Sequence, residues 1–232
     1  MKLAIVIATY QRNDTTTPKY LARALTAIKN QTYQEYKVFL IGDNYTDSAE
    51  FYKLATETIP ADKIYYENLP VAVERDRYPN GGTPLWRCGG ANARNHGIDI
   101  AISNGYDYVC HLDHDDYWNT NHLELISNVI NHDPTFAFIH TQSTYMNSIL
   151  PNTEQHNVVV DRLPIPGQLI HSSVCINHKL LPLRYRDTFH ETGIPNASDA
   201  DLWERLSAVI IDNNYKSYYI PLLTCYHDEE NH

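Results

Sequence analysis

The chain has 232 residues, and 28 acidic side chains against 18 basic ones give it a formal charge of −10. A negative field of this size repels phosphate backbones and anionic lipids, so the charge argues against a nucleic-acid or membrane-surface binder. No run approaches the roughly 18 apolar residues that a membrane span needs. The length suits one folded domain, 1–232.

The first half alternates apolar, β-branched runs with segments of helical periodicity. The expected elements are strands at 3–8, 37–41, 63–66 and 106–112, and helices at 17–28, 48–58 and 91–103. This alternation predicts an α/β protein with a doubly wound, mainly parallel sheet flanked by helices. The helix at 17 is expected to begin with Thr17 as its cap and Pro18 at its first position.

Residues 68–90 interrupt the alternation and are rich in proline, glycine and arginine, with Arg75, Arg77 and Arg87 among them. A loop of this length inside a compact domain is usually functional or mobile.

Two helices in the second half carry the signature of a capped start, Asn121 with Glu124 and Ser198 with Asp201. The expected order is a helix from 121, a strand at 136–144, an irregular stretch at 145–197, a helix from 198 and a strand at 218–226.

The four cysteines, Cys88, Cys110, Cys175 and Cys225, are far apart and form no CxxC pair. Three of them lie in apolar or aromatic runs, which is typical of buried free thiols in a reducing compartment. The N-terminal apolar run at 3–8 is too short for the hydrophobic part of a signal peptide. We therefore expect free thiols and a cytoplasmic protein.

The sharpest feature is HLDHDD at 111–116, directly after a predicted strand. Three carboxylates within four residues repel one another, so this placement needs a cation or hydrogen-bond donors. Ligands of open α/β sheets bind beyond the carboxyl ends of the strands, where carboxylates suit Mn²⁺ or Mg²⁺. Taken alone, a solvated acidic turn that starts the next helix is the simpler interpretation.

Two more side chains are expected at the same edge of the sheet, since Tyr10 follows the first strand and Asp43 the second. Asp43 could accept a hydrogen bond from a nucleotide base, and Tyr10 could stack on the face of that base. A turn-capping aspartate and a half-buried tyrosine are the alternatives.

Six segments, in order along most of the chain, resemble motifs of the family 2 glycosyltransferases, which have the GT-A fold. The segments are VIATYQR at 6–12 (VIPTYNR in the family), QTY at 31–33, IGDNYTD at 41–47 (VDDGSTD), GANARNHGI at 90–98 (G-x-x-x-ARN-x-GI), HLDHDDYW at 111–118 (FLDxDDxW) and SDADLWERL at 198–206 (EDxxLWxRL). The region 145–190 matches least.

The resemblance implies metal-dependent transfer of a hexose-type sugar from a nucleotide-diphosphate sugar, with UDP favoured, to an acceptor hydroxyl with inversion. A Rossmann-like half, 1–116, would bind the nucleotide sugar, and 117–232 would bind the acceptor, which is a glycan, a glycolipid or a protein.

Roles carry over to the matching positions. Ala8, Tyr10 and Asp43 correspond to the pocket for the base. Asp113 and His114 correspond to positions that face the ribose and the diphosphate.

Asp115 corresponds to the metal ligand of the DxD motif, and His227 to a late histidine that completes the metal site, so Mn²⁺ or Mg²⁺ is the implied cofactor. Asp199 corresponds to the catalytic base. Asp116 is expected only to start the following turn.

Further side chains are candidates on chemical grounds. Arg87 or Arg94 could add positive charge at the diphosphate, although Arg94 could equally be a packing residue. Trp86 and Trp203 are candidate stacking faces for the acceptor sugar, although Trp203 could equally lie in the core. The loop at 70–90 is expected to act as a lid over the donor.

Three departures from the family pattern matter. Gly42 replaces the first acid of the paired aspartates, and residues 44–45 replace a Gly-Ser pair. A single acid, Asp43, remains to read the base, so uridine is only a preference. Ser198 replaces the glutamate that precedes the catalytic aspartate.

Two other functions remain open. A metal-dependent hydrolase could use a carboxylate-rich site with several histidines, made from His111, Asp113, His114, Asp115 and His227, but neighbouring strand residues point to opposite faces and need not converge. A sugar-nucleotide-binding module without activity is the other alternative, and the retention of both the expected metal ligand and the expected base argues against it.

Overall fold

A computed structural model describes residues 2–152, 163–193 and 196–227. The strands are β1 (Leu3–Thr9), β2 (Tyr36–Gly42), β3 (Ile64–Asn68), β4 (Tyr108–His111), β5 (Tyr117–Trp118), β6 (Phe136–Tyr145), β7 (Ser148–Leu150), β8 (Val174–Asn177) and β9 (Lys216–Tyr226). The α-helices are α1 (Thr17–Lys29), α2 (Ser48–Thr58), α3 (Val73–Arg77), α4 (Gly82–Cys88), α5 (Ala91–Ser103), α6 (His122–His132), α7 (Thr188–Thr192) and α8 (Ser198–Asp212).

The strands form one sheet in the order β3-β2-β1-β4-β8-β6-β9-β5, with β7 on β6. The first four strands are parallel, as predicted. Strand β8 is antiparallel to both of its neighbours, β9 is parallel to β6, and β5 is antiparallel to β9. The α/β fold class is therefore confirmed, but the sheet is mixed. It is nevertheless mainly parallel, as predicted, because β6 and β9 run in the same direction as the first four strands and only β5, β7 and β8 are reversed.

Strand β1 lies between β2 and β4 in the interior of the sheet and is completely buried. Its alternate side chains enter two cores on opposite faces of the sheet. Ile5 and Ile7 pack with α1, and Ala4 and Val6 pack with α5 and α8. Burial of each large aliphatic side chain contributes about 1.5–3 kcal/mol, so the apolar run of β1 fixes the layers around it.

Helix α5 lies close to the sheet because Gly97 faces it. A Cβ at this position would lie 2.7 Å from Val6 Cγ1 and 3.1 Å from Ile41 Cγ1. The glycine of the ARN-x-GI segment is therefore a packing residue. The close approach brings the first turn of α5, with Arg94, to the carboxyl ends of the strands.

The predicted loop at 68–90 contains two short helices, α3 and α4. The predicted capping of two other helices is wrong. Thr17 begins α1, but its hydroxyl accepts a hydrogen bond from the Arg12 N–H at 2.9 Å. Ser198 Oγ accepts from the Arg186 N–H at 3.1 Å, and Asp201 pairs with Arg186, so these side chains anchor a neighbouring segment.

The start of α6 is capped from a distance. The Asn121 side chain makes no capping hydrogen bond. Instead, Gln31 accepts from the Leu123 N–H at 2.9 Å through Oε1 and donates to the carbonyls of Asn119 and Ala27 at 2.7 and 3.1 Å through Nε2. Gln31 is 3% exposed, so these bonds are shielded from water.

All four cysteines are buried and free, which confirms that prediction. Within the described ranges, no helix has both the length and the apolar character that a bilayer crossing requires.

We predict that Gln31→Ala lowers the free energy of unfolding by about 1–3 kcal/mol, because it leaves a buried N–H and two carbonyls without their partner. Asn121→Ala is the matched control at the nominal cap and should change it by less than about 0.5 kcal/mol. Urea unfolding of both variants checks this. Similar losses in the two variants would contradict the distant cap.

Candidate active site

A cavity of about 900 Å³ lies beyond the carboxyl ends of β1, β2 and β4. Its size is typical of pockets for small ligands. All of the site residues expected from the sequence line it: Ala8, Tyr10, Asp43, Trp86, Arg87, Arg94, Asp113, His114, Asp115, Asp199, Trp203 and His227. The cavity wall therefore combines residues from both halves of the chain.

At one end of the cavity, a hydrogen-bond acceptor, Asp43, lies beside a hydrogen-bond donor, Arg75. Asp43 is 1% exposed, and its Oδ1 has no hydrogen-bond partner among the described residues. Its Oδ2 accepts from Arg75 Nε at 3.2 Å, and the Arg75 guanidinium lies 5.1 Å from the centre of the Tyr10 ring. Burial raises the pKa of Asp43, while Arg75 opposes that shift. Arg75 is a site residue that the sequence showed only as one arginine among several.

The carboxylates of the acidic cluster have separate partners. Asp113 Oδ1 accepts from Arg94 at 2.8 Å, and Arg94 also donates to the Gly89 carbonyl at 2.8 Å. Burial raises the pKa of Asp113, but the charge of Arg94 and its hydrogen bond outweigh this and hold the pKa below its usual value. Asp113 is therefore ionised, and Arg94 is held in place at its side.

Asp115 is held by two arginines that follow β1. The Arg12 guanidinium pairs with Asp115 Oδ2 at 2.5 Å, and Arg23 donates to the Asp115 backbone carbonyl. Arg12 belongs to the segment at 6–12, but no role was expected for it. Its partner could not be read from spacing, because the two residues are far apart in the chain.

His227 pairs with Asp116 and not with Asp115. Strands β5 and β9 are antiparallel with Tyr117 opposite Tyr226, so the next positions in register are Asp116 and His227. His227 Nδ1 lies 2.8 Å from Asp116 Oδ1, and Ser172 Oγ donates to the other Asp116 oxygen. The expectation that Asp116 only starts a turn is wrong, since its carboxyl is buried and hydrogen-bonded.

No three metal-ligating side chains converge among the described residues. The chemistry of the donor set nevertheless fits a divalent ion, because Asp115, Asp116 and His227 offer carboxylate oxygens and an imidazole on one cavity wall. Arg12 already neutralises Asp115, so an ion would have to take this carboxylate from the guanidinium.

Asp199 lies in the first turn of α8, half-buried at the cavity wall. Its Oδ1 accepts from the Ala200 N–H at 2.7 Å. Burial and the charge of Asp199 raise the pKa of Tyr145, and they act in the same direction on Tyr185. Asp199 therefore lies within electrostatic reach of both tyrosines. Burial also raises the pKa of Asp199 itself, which suits a group that must accept a proton.

Two further wall residues come from the stretch that the sequence left irregular. His171 Nδ1 lies 2.7 Å from the Tyr185 hydroxyl, and His171 Nε2 lies 3.8 Å from Asp113 Oδ1. Burial lowers the pKa of His171 to about 3, so its imidazole is neutral. A single histidine or tyrosine in an irregular segment gives no sequence signal for such a pair.

The aromatic candidates differ in exposure. Trp86 on α4 is 66% exposed at the cavity. Trp203 is fully buried and packs on Phe138 with ring centres 6.0 Å apart. This placement conflicts with the expected stacking role of Trp203, because neither ring face is open to a sugar. His111 is also fully buried and does not line the cavity, so it does not join the other four residues of the hydrolase alternative there.

The 73–88 segment is tied at two points. Glu74 Oε1 accepts from the Asn92 N–H at 2.9 Å and so caps α5. On the other side, Asp187 accepts from Arg77 at 2.6 Å and from the Tyr78 hydroxyl at 2.9 Å. These contacts join the donor side of the cavity to the α7 side.

We predict that Asp187→Asn lowers the free energy of unfolding by about 1–3 kcal/mol, since a buried carboxylate with several donors is lost. Asp99→Asn is the matched control: Asp99 pairs with Arg184 at 2.6 Å, but its side chain is 62% exposed. That change should cost less than about 1 kcal/mol. Urea unfolding at about pH 7 compares them.

The same pair predicts a pH dependence. Burial raises the pKa of Asp187, but Arg77, the His190 N–H and Tyr78 outweigh it and leave the pKa below its usual value. Stability from a lowered carboxyl pKa is present above the unfolded-state value and is lost as the pH falls through the folded-state value. The difference between wild type and Asp187→Asn should therefore be the same at about pH 7 and about pH 5. A difference that halves over this interval would contradict the assignment.

No protein-family model matches the chain. The chain is 39% identical over 238 residues to an uncharacterized glycosyltransferase of Acanthamoeba polyphaga mimivirus, and the aligned region covers 99% of this chain and 95% of that protein. It is 34% identical over 122 residues to the succinoglycan biosynthesis protein ExoW of Rhizobium meliloti, and this aligned region covers 53% of this chain and 32% of ExoW.

Solved structures show the same fold. TarS of S. aureus in complex with UDP-GlcNAc has a TM-score of 0.71 at 14% identity, with 100% of this chain and 60% of that chain covered. The Pyrobaculum calidifontis mannosyltransferase in complex with GDP-Man and Mn²⁺ has a TM-score of 0.66 at 16% identity, with 99% and 58% covered. The chain thus spans about 60% of the solved TarS chain.

The mixed sheet has the fold of these solved glycosyltransferases, which is of the GT-A type. Because the mimivirus relative matches over nearly its whole length, the chain belongs to the glycosyltransferases, and these relatives are consistent with the resemblance to family 2.

Proposed function

We propose that the protein transfers a sugar from a UDP-sugar to an acceptor hydroxyl, with a divalent metal ion and with inversion at the anomeric carbon. The observation that carries the proposal is one continuous cavity that joins Asp43, the acidic cluster at 113–116 and Asp199. Catalysis of this kind needs a bound nucleotide, an offset for the leaving diphosphate and a base for the hydroxyl.

Asp43 and Arg75 support recognition of the base. The unpartnered Asp43 Oδ1 is a buried acceptor, and Arg75 places a donor beside it. Uracil offers an N–H between two carbonyls and so matches both groups. Cytosine and adenine lack a ring N–H at that edge, and a buried acceptor facing another acceptor is costly. Guanine also has a ring N–H beside a carbonyl, which makes GDP the main competitor. The relatives solved with UDP-GlcNAc and GDP-Man show both kinds of nucleotide sugar.

Asp115, Asp116 and His227 are the residues that would hold the metal. When bound, the ion would offset the negative charge that develops on the diphosphate, which is Lewis-acid assistance. Arg94, fixed by Asp113 and Gly89, adds positive charge from the opposite side of the cluster. The mannosyltransferase solved with Mn²⁺ supports the requirement for a metal.

Asp199 would act as the general base. It takes the proton of the acceptor hydroxyl while that oxygen attacks the anomeric carbon and the nucleotide diphosphate leaves from the opposite face. One displacement of this kind inverts the anomeric configuration. Retention in the product, seen by NMR of the anomeric proton, would contradict this step.

We predict that Asp199→Asn lowers kcat for transfer by roughly 10²–10⁴-fold while leaving the Kd of the nucleotide unchanged. Glu204→Gln, an exposed change on the same helix, is the control and should retain full activity. A variant that transfers sugar at the wild-type rate would remove Asp199 from the mechanism. Nucleotide binding without transfer in the wild type would favour the inactive binding module.

The pH profile gives an independent prediction. The base works only when ionised, and burial places the Asp199 pKa above 3.8. The value of kcat/KM should therefore fall as the pH drops through a value above the ordinary aspartate range. The residual activity of Asp199→Asn should lack this limb. An identical acid limb in both proteins would assign it to another group.

We predict that UDP binds about tenfold or more tightly than CDP in the presence of Mn²⁺, and that Asp43→Ala removes most of this difference. Calorimetric titration of UDP, GDP and CDP measures it. Equal affinity for UDP and CDP would contradict the role of Asp43. Tighter binding of GDP than of UDP would replace the UDP-sugar by a GDP-sugar.

A further inference from the structure

The turn between β6 and β7 has an unusual residue at its tip. Tyr145 is paired with Ser148, so Met146 and Asn147 form a two-residue turn, and both have a left-handed backbone with φ of 46° and 59°. Hairpin turns of this form normally carry asparagine and glycine, which tolerate a positive φ. Methionine rarely adopts it, and strained positions of this kind cluster at functional sites.

Folding stability does not explain this methionine. Met146 is 64% exposed, so little of its side chain contributes to a core. It lines the cavity, as does Trp86, which is 66% exposed and comes from α4 on the donor side. Two large apolar side chains from opposite halves of the chain therefore stand in water at one cavity.

The turn lies on the acceptor side of the reaction site. Tyr145, which precedes Met146, has its ring centre 5.1 Å from that of His227. Tyr145 and Asp199 both line the cavity, so this strand end faces the same space as the candidate base.

We propose that Met146 and Trp86 form a clamp for an alkyl group that the acceptor carries next to its reacting hydroxyl. The acceptor is then a glycoside with an apolar aglycone, an inference that rests on the proposed transfer reaction. An alkyl group would meet apolar surface on both sides, from the Trp86 ring and from the Met146 thioether, whereas a sugar ring would find a flat aromatic face on the Trp86 side only. The flexible thioether of methionine adapts to irregular apolar surfaces.

The test uses methyl and octyl β-D-glucoside as probes, each titrated into the protein saturated with UDP and Mn²⁺, with the octyl compound below its micellar concentration. The wild type should bind the octyl compound about tenfold or more tightly, since several methylene groups leave water. Met146→Asn and Trp86→Ala should each lose most of this preference. Equal binding of the two glucosides by the wild type would overturn the clamp.

Asn147→Gly is the matched control, because it changes the same turn but not the cavity wall. It should keep the octyl preference. Met146→Asn should raise the Tm, since asparagine tolerates the left-handed backbone, while losing the preference. A Met146→Asn protein that keeps the preference would overturn the proposal, whatever its Tm.

Two further measurements distinguish failure of the clamp from failure of the proposed function. UDP affinity, measured in a separate titration with Mn²⁺ present, should be equal in the wild type, Met146→Asn and Asn147→Gly. Loss of UDP binding by the wild type would defeat the proposed function, whereas a missing octyl preference with intact UDP binding would defeat the clamp alone. If the wild type sediments with phosphatidylcholine vesicles and Met146→Asn does not, the exposed methionine binds a membrane and not an acceptor. That result would overturn the proposal.

Discussion

The arrangement of this site depends on one electrostatic constraint. Three carboxylates within four residues repel one another, so each of them needs its own hydrogen-bonding or charged partner. The protein gives each of them a different partner. Asp113 has Arg94 from α5, Asp115 has Arg12 from the segment after β1, and Asp116 has His227 from the end of the chain. Each partner arrives on a different element, so the cluster can exist only where those elements meet.

The sheet topology follows from the same requirement. Parallel strands β1, β2 and β4 bring Tyr10, Asp43 and the acidic cluster to one edge. His227 reaches that edge because β9 lies beside β6 and its end pairs with β5. Because β6 and β9 run in the same direction as β1 and β4, the carboxyl end of β9 delivers the histidine to the edge of the sheet that carries the carboxylates.

Much of the fold was visible in the sequence, because buried β-branched runs and helical periodicity are local signals. The first four strands and the cavity at their ends followed from them, and every expected site residue lines that cavity. Partnerships were not visible. Arg12 and Arg75 pair with carboxylates 103 and 32 residues away, and no spacing rule connects them.

The helix caps were not visible for a related reason. The signatures at Asn121 and Ser198 are local patterns, but Gln31 caps the first of these helices from outside it, and the Ser198 hydroxyl accepts from the Arg186 N–H instead of capping its own helix. Trp203 belongs to a motif shared with the family, and the motif does not say that its ring faces Phe138 in the core.

The contact of Gln31 with α6 bears on how the chain can be divided. The helix that opens the second half receives its cap from a residue at the end of α1. A fragment that began after the acidic cluster would start with buried amides that have no acceptor. The nucleotide side and the acceptor side are thus not exchangeable modules, and a chimera that joined this second half to another first half would have to bring its own glutamine.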